Sequence, residues 1–163
     1  MASGDTLLIL TPLNNEAPDA DYATLDVRNE HSVLDFKDSG AEEAVFTAVL
    51  PRSYAGGGLM VNVHFAMSSA TSGNVVWNAE IERMHSTQDI DSAGFAAAQA
   101  HTEAAPGTSG YPGVAEITFT DGAQMDSLAA GEAFRLRISR DGGNGSDTAS
   151  GDAELLAVEI KET

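Results

Sequence analysis

The sequence has no cysteine. That excludes disulfides, thiolate metal sites and a cysteine nucleophile, and it fits folding in a reducing cytosol. Basic residues are scarce, 8 Lys and Arg against 25 Asp and Glu, for a formal charge of −17. A field of that sign repels phosphate backbones and anionic lipid. Neither nucleic acid nor a membrane surface is therefore an expected partner. Aromatic residues are few: one Trp, three Tyr and six Phe. That leaves little to stack on a sugar ring, so carbohydrate binding ranks second among the functions considered. No long apolar run exists either. Leu7-Leu8-Ile9-Leu10 is too short for a membrane span or a signal peptide, and no basic segment precedes it. The chain is expected to be soluble and not exported by a signal of its own.

Catalytic and metal-binding patterns are missing as well. His31, His64, His85 and His101 show no HxH or HExxH spacing. No G-x-S-x-G elbow occurs. Gly56-Gly57-Gly58 lacks a following Lys-Ser/Thr and opens a strand, so it reads as a turn rather than a phosphate cradle. The acidic loop 141–152 does not match the EF-hand pattern, and a flexible hairpin loop is preferred there to a calcium site. Carboxylate pairs arise by chance in so acidic a chain. No enzymatic activity, catalytic residue, metal or cofactor is expected.

What the chain does have is alternation. Its 163 residues, 42% of them hydrophobic, suffice for one domain with a real core. Leu59, Val61, Val63, Phe65 and Met67 share one face of a strand, and Val75, Trp77, Ala79, Ile81 and Arg83 share a face of another. The small-polar connector 68–74 predicts a long antiparallel pair that carries the only Trp into the core. Strands are also predicted at 33–36, 44–50, 97–103, 114–120, 134–139 and 153–161. One helical turn is predicted at 123–130, with Met125, Leu128 and Ala129 inward and Gly131 as its C′ residue. In the last strand Leu155, Ala157 and Glu159 oppose Leu156, Val158 and Ile160. Eight strands after residue 30 predict an all-β, two-sheet sandwich with little helix.

Residues 1–29 read as a separate stretch ahead of a 30–163 sandwich. The aliphatic strand candidate 7–10 is followed by a segment with two prolines, two asparagines and three acids, which favours extended backbone. Two readings stay open. One is an edge strand plus a long loop of the same domain. The other is an arm in which Leu7, Leu8, Ile9, Leu10 and Leu13 contact a neighbouring subunit or a capsid. Residues 11–21 would reach about 35 Å when extended. On the second reading the 30–163 sandwich is expected to fold without residues 1–10.

Several segments together carry a resemblance. They are Tyr22-Ala23-Thr24-Leu25-Asp26-Val27-Arg28-Asn29, Val33-Leu34-Asp35-Phe36, Val49-Leu50-Pro51-Arg52-Ser53-Tyr54-Ala55-Gly56-Gly57-Gly58-Leu59 and Ser68-Ser69-Ala70-Thr71-Ser72-Gly73-Asn74-Val75-Val76-Trp77. Further on come Phe119-Thr120-Asp121-Gly122-Ala123, Gly131-Glu132-Ala133-Phe134-Arg135-Leu136-Arg137 and Ser150-Gly151-Asp152-Ala153-Glu154-Leu155-Leu156-Ala157-Val158-Glu159-Ile160. Over residues 20–163 the set resembles the jelly-roll structural proteins of tailed bacteriophages. The lone module, without stalk or heptads, makes it most similar to the capsid decoration (cement) proteins. The resemblance implies a jelly-roll β-sandwich that forms a homotrimer on the major capsid protein. It also implies a place on the virion surface after synthesis in the bacterial host cytoplasm. The alternatives are a tail-fibre or spike domain that binds a receptor or carbohydrate, and a small hydrolase.

Overall fold

The computed structural model describes residues 4–163, so the first three residues of the 1–29 stretch lie outside the described residues. The described residues form ten strands: β1 (Thr6–Leu10), β2 (Thr24–Arg28), β3 (His31–Phe36), β4 (Ala41–Val49), β5 (Leu59–Met67), β6 (Asn74–Met84), β7 (Gln99–Ala104), β8 (Gly113–Phe119), β9 (Ala133–Asp141) and β10 (Ala153–Glu162). The larger sheet has the order β2-β3-β10-β5-β8, with β1 also paired to β10, and the smaller has β4-β9-β6-β7. Every strand pairing is antiparallel. From β3 onward the eight strands cross between the two sheets in the winding of a jelly roll. This is the all-β sandwich that the alternation predicts.

The strands at 59–67 and 74–84 do not pair with each other. β5 lies in the larger sheet and β6 in the smaller. Both are apolar on one face, and here those faces bury each other across the core between the sheets rather than lying side by side. The connector therefore crosses between sheets. Its Gly73 has φ +89°, and a Cβ there would sit 2.8 Å from the Thr148 backbone, so only glycine fits. The inward faces are otherwise as read. Leu59, Val61, Val63 and Phe65 meet Val75, Trp77, Ala79 and Ile81, all fully buried. Trp77 is met edge-on by Phe36 at 5.1 Å and at a tilt by Phe65 at 5.6 Å, both from the opposite sheet.

In β10 the strict alternation fails. Leu155, Val158 and Ile160 are all buried, which strict period two cannot achieve. An irregularity between Leu155 and Ala157 shifts the register against β5 and flips the phase. β1 does the same between Thr6 and Leu8, so that Leu7 and Leu10 both reach the core. The helical turn shrinks to a 3-10 turn, Ala123–Met125. Asp126 and Ser127 take φ values of 53° and 57°, which ends any helix. Met125 and Leu128 are buried as expected, but Ala129 is exposed. Gly131 caps no helix; its N–H donates to the Leu50 carbonyl beside β4.

Residues 141–152 are fastened rather than loose. Arg140 continues the inward phase of Phe134, Leu136 and Ile138 and is fully buried. Its guanidinium donates to both carboxylate oxygens of Asp147, at 3.0 and 2.7 Å, and to the carbonyls of Phe36, Ala149 and Gly151. Asp147 in turn accepts the Val76 N–H at 3.0 Å. One buried cation thus ties the loop to both sheets.

Candidate interaction surfaces

With so few cations, their placement decides the surface. Six of the eight are in ion pairs: Arg28 with Glu154, Lys37 with Glu42, Arg83 with Glu132, Arg135 with Glu82, Arg137 with Glu80, and Arg140 with Asp147. On the outer face of the smaller sheet the β6–β9 register sets Glu80 opposite Arg137 and Glu82 opposite Arg135, so the alternation of each strand builds a charge ladder. Phe95 lies over both arginines, 5.3 and 4.4 Å from their guanidinium carbons. That face is self-neutralised and offers no cationic patch to a phosphate. Arg83 holds the Glu132 carboxyl down to about 2, helped by the Ala129 N–H.

The amino-terminal residues divide. β1 pairs with β10 of the same chain, beyond the short stretch where β10 pairs with β3. β2 pairs with β3 along its whole length. Residues 6–10 and 24–28 are thus strands of the larger sheet, which is the edge-strand alternative weighed for 1–29. Leu7 and Leu10 belong to the core, and Leu8 packs against it. Ile9 and Leu13 are 66% and 70% exposed. Of the five residues named as a contact segment, these two remain free to meet a partner. Removing residues 1–10 would uncover β10 and part of the core, so point changes at Ile9 and Leu13 are the cleaner probe.

A second apolar feature, not anticipated from the pattern, runs along β2. Leu25 is 54% and Val27 63% exposed, and Tyr22 beside them is 51% exposed. β2 ends its sheet. The outer face of the same sheet also carries a shallow trough of about 480 Å³, lined by Ile9, His64, Pro112, Leu156, Ala157 and Glu159. Near it Asn62 is almost fully buried; its amide donates to Glu159, while its carbonyl oxygen has no partner. The four histidines do not converge, and no group of three or more metal-ligating side chains occurs among the described residues. Nor is any helix among them long and apolar enough to cross a membrane.

Asp35 on β3 sits in an acidic pocket. Burial pushes its carboxyl up to about 6, and the negative charges of Glu154, Asp26 and Asp152 add to the effect. A raised acid favours the native state fully below its unfolded pKa, and that contribution is lost as pH rises through about 6. Asp35→Asn is therefore expected to raise the melting temperature at pH 8 and to change it little at pH 4. Thermal melts of both proteins across that range check it; an equal shift at both pH values would contradict it.

No family model matches the sequence, and no curated protein matches it in sequence. Solved structures do match the fold. One is the CBM36-1 domain of a multidomain xylanase from the hindgut metagenome of Trinervitermes trinervoides, with TM-score 0.53 and 11% identity over 96% of this chain and 97% of that one. Others are the CBM22-1–GH10 modules of Clostridium thermocellum xylanase 10B with xylohexaose (TM-score 0.49, 14% identity, 99% and 29% covered) and infectious bursal disease virus, Gx strain (TM-score 0.39, 12% identity, 98% and 33% covered). The first, matched end to end, shows that the chain has the jelly-roll sandwich fold; at such identity it shows the fold alone.

Proposed function

We propose that the chain is a non-catalytic structural module of a tailed-bacteriophage virion, a capsid decoration (cement) protein. On this reading it sits as a homotrimer on the major capsid protein and bridges neighbouring capsomers. The observation that carries it is a contrast. Apolar side chains stand uncovered on rigid strands at Ile9, Leu25 and Val27, while polar groups converge on no catalytic constellation among the described residues. Such a surface suits adhesion rather than chemistry, and the resemblance over residues 20–163 supplies the partner. The mechanism is mechanical. A packed genome presses its shell outward, and three tethered contacts at a joint act with high effective concentration even when each is weak. The uncompensated acids on the outer surface keep crowded particles apart.

The test adds purified protein to undecorated heads and measures occupancy and genome release on heating. Wild type is expected to bind and to delay release. Ile9→Glu with Leu13→Glu is expected to lower occupancy at least tenfold; equal occupancy would reject this segment as part of the grip. A second reading, carbohydrate binding in a fibre or spike, draws on the trough at His64 and Leu156 and on the shared fold of a carbohydrate-binding module. Against it, Trp77 is buried, and Tyr22 and Tyr111 are the only strongly exposed aromatics among the described residues. Binding to host glycans together with failure to bind heads would favour it.

A further inference from the structure

The chain just ahead of β2 is bonded to β4, Ala23 N–H donating to the Glu43 carbonyl, but from Thr24 on the outer edge of β2 is free and makes a specific demand. A terminal strand presents unpaired backbone N–H and C=O groups that another strand can satisfy. The β2–β3 register runs without irregularity from Thr24 to Arg28, so no bulge bends the edge away, and the strand contains neither lysine nor proline. The Val27 N–H is taken by its neighbour's side chain, Asp26 Oδ1, at 2.7 Å, and not by β3. It therefore faces outward, and Leu25, two residues earlier, has the same backbone orientation. The side chains of Leu25 and Val27 are more than half exposed. Acids predominate around the edge: Asp21, Asp26 and Glu30 are exposed, Arg28 is turned away onto Glu154 and the Met67 carbonyl, and Lys37, near Thr24, is paired with Glu42.

We infer that β2 is a docking edge that takes an extended segment of another protein, rich in aliphatic and basic residues, as an added strand. This rests on the reading of the chain as a docking module and names the chemistry of its partner. Backbone pairing supplies the registry, Leu25 and Val27 take alternate aliphatic side chains, and the flanking carboxylates meet Lys or Arg. A second copy of this chain is the wrong occupant. A symmetric antiparallel pair centred on β2 would set Asp26 against Asp26.

The probe is an acetylated, amidated nonapeptide of alternating lysine and valine, titrated into the isotope-labelled full chain and followed by NMR. A control peptide of the same charge carries N-methyl groups on alternate amides. The amides of residues 24–28 are expected to shift, and exchange at Leu25 to slow at least tenfold. The control should bind at least tenfold more weakly. Val27→Pro should lose binding to the same degree; since that N–H gives nothing to β3, proline is tolerated at this edge position. Should that variant misfold, Leu25→Lys is expected to weaken binding likewise. Equal binding of the two peptides, shifts confined to another surface, or self-pairing through β2 without peptide would overturn the proposal. Edge binding by a protein that ignores undecorated heads would uphold the docking edge and sink the capsid reading instead.

Discussion

Replacing Arg140 with alanine is expected to destabilise the protein by about 3–5 kcal/mol, the usual cost of removing one member of a buried ion pair. The side chains of Arg140 and Asp147 are 0% and 1% exposed, so no solvent screening reduces the effect. The variant leaves a carboxylate in the interior and strips the donor from three carbonyls, those of Phe36, Ala149 and Gly151. Against a typical total stability of about 5–15 kcal/mol, that is a large share, and a domain of this size would melt roughly 6–20 °C lower. Arg140→Lys should recover little, because an ammonium cannot make the two-pronged contact to Asp147 and also reach the carbonyls. Urea unfolding followed by circular dichroism measures this. A loss below about 1 kcal/mol, the level of an exposed pair, would show that the clasp on residues 141–152 is not structural.

Trp77→Ala is expected to cost about 3–5 kcal/mol for a different reason, the cavity left in a close-packed core. The indole bridges the sheets, resting on Phe36 and Phe65, and the surrounding strands are too constrained to collapse onto the space. Trp77→Phe should cost much less. It keeps an aromatic ring against Phe36, and it deletes an indole N–H that is buried without an acceptor. Native fluorescence should be blue-shifted. Similar losses for the alanine and phenylalanine variants would mean that the ring does not carry the packing.

The elements with regular alternation were legible in the sequence. Phe134, Leu136 and Ile138, or Ala115, Ile117 and Phe119, announce which face is buried, because period two leaves no other option. Pairing was not legible. The apolar faces of β5 and β6 are equally consistent with a hairpin and with two strands facing each other across a core. Only the three-dimensional demand to cover both faces separates the two. Bulges were hidden for a related reason: a phase change after Leu155 is invisible until a neighbouring strand fixes the register. Arg140 did leave a signal, standing on the inward phase two residues after Ile138, with Asp147 a short loop away. The docking edge left less. Leu25 and Val27 alternate like any half-buried strand, and their exposure follows from β2 being last in its sheet, which composition cannot reveal. Leu7 and Leu10 look like an adhesive arm for the opposite reason. Their aliphatic run is the same whether it covers a neighbour or, as here, its own chain's β10.

The capsid reading is tested most directly by cryo-electron microscopy of undecorated heads incubated with this protein. The account predicts three-lobed density on the outer surface at the junctions of capsomers, each lobe fitted by one jelly roll. Heads that stay bare at saturating protein concentration would contradict it.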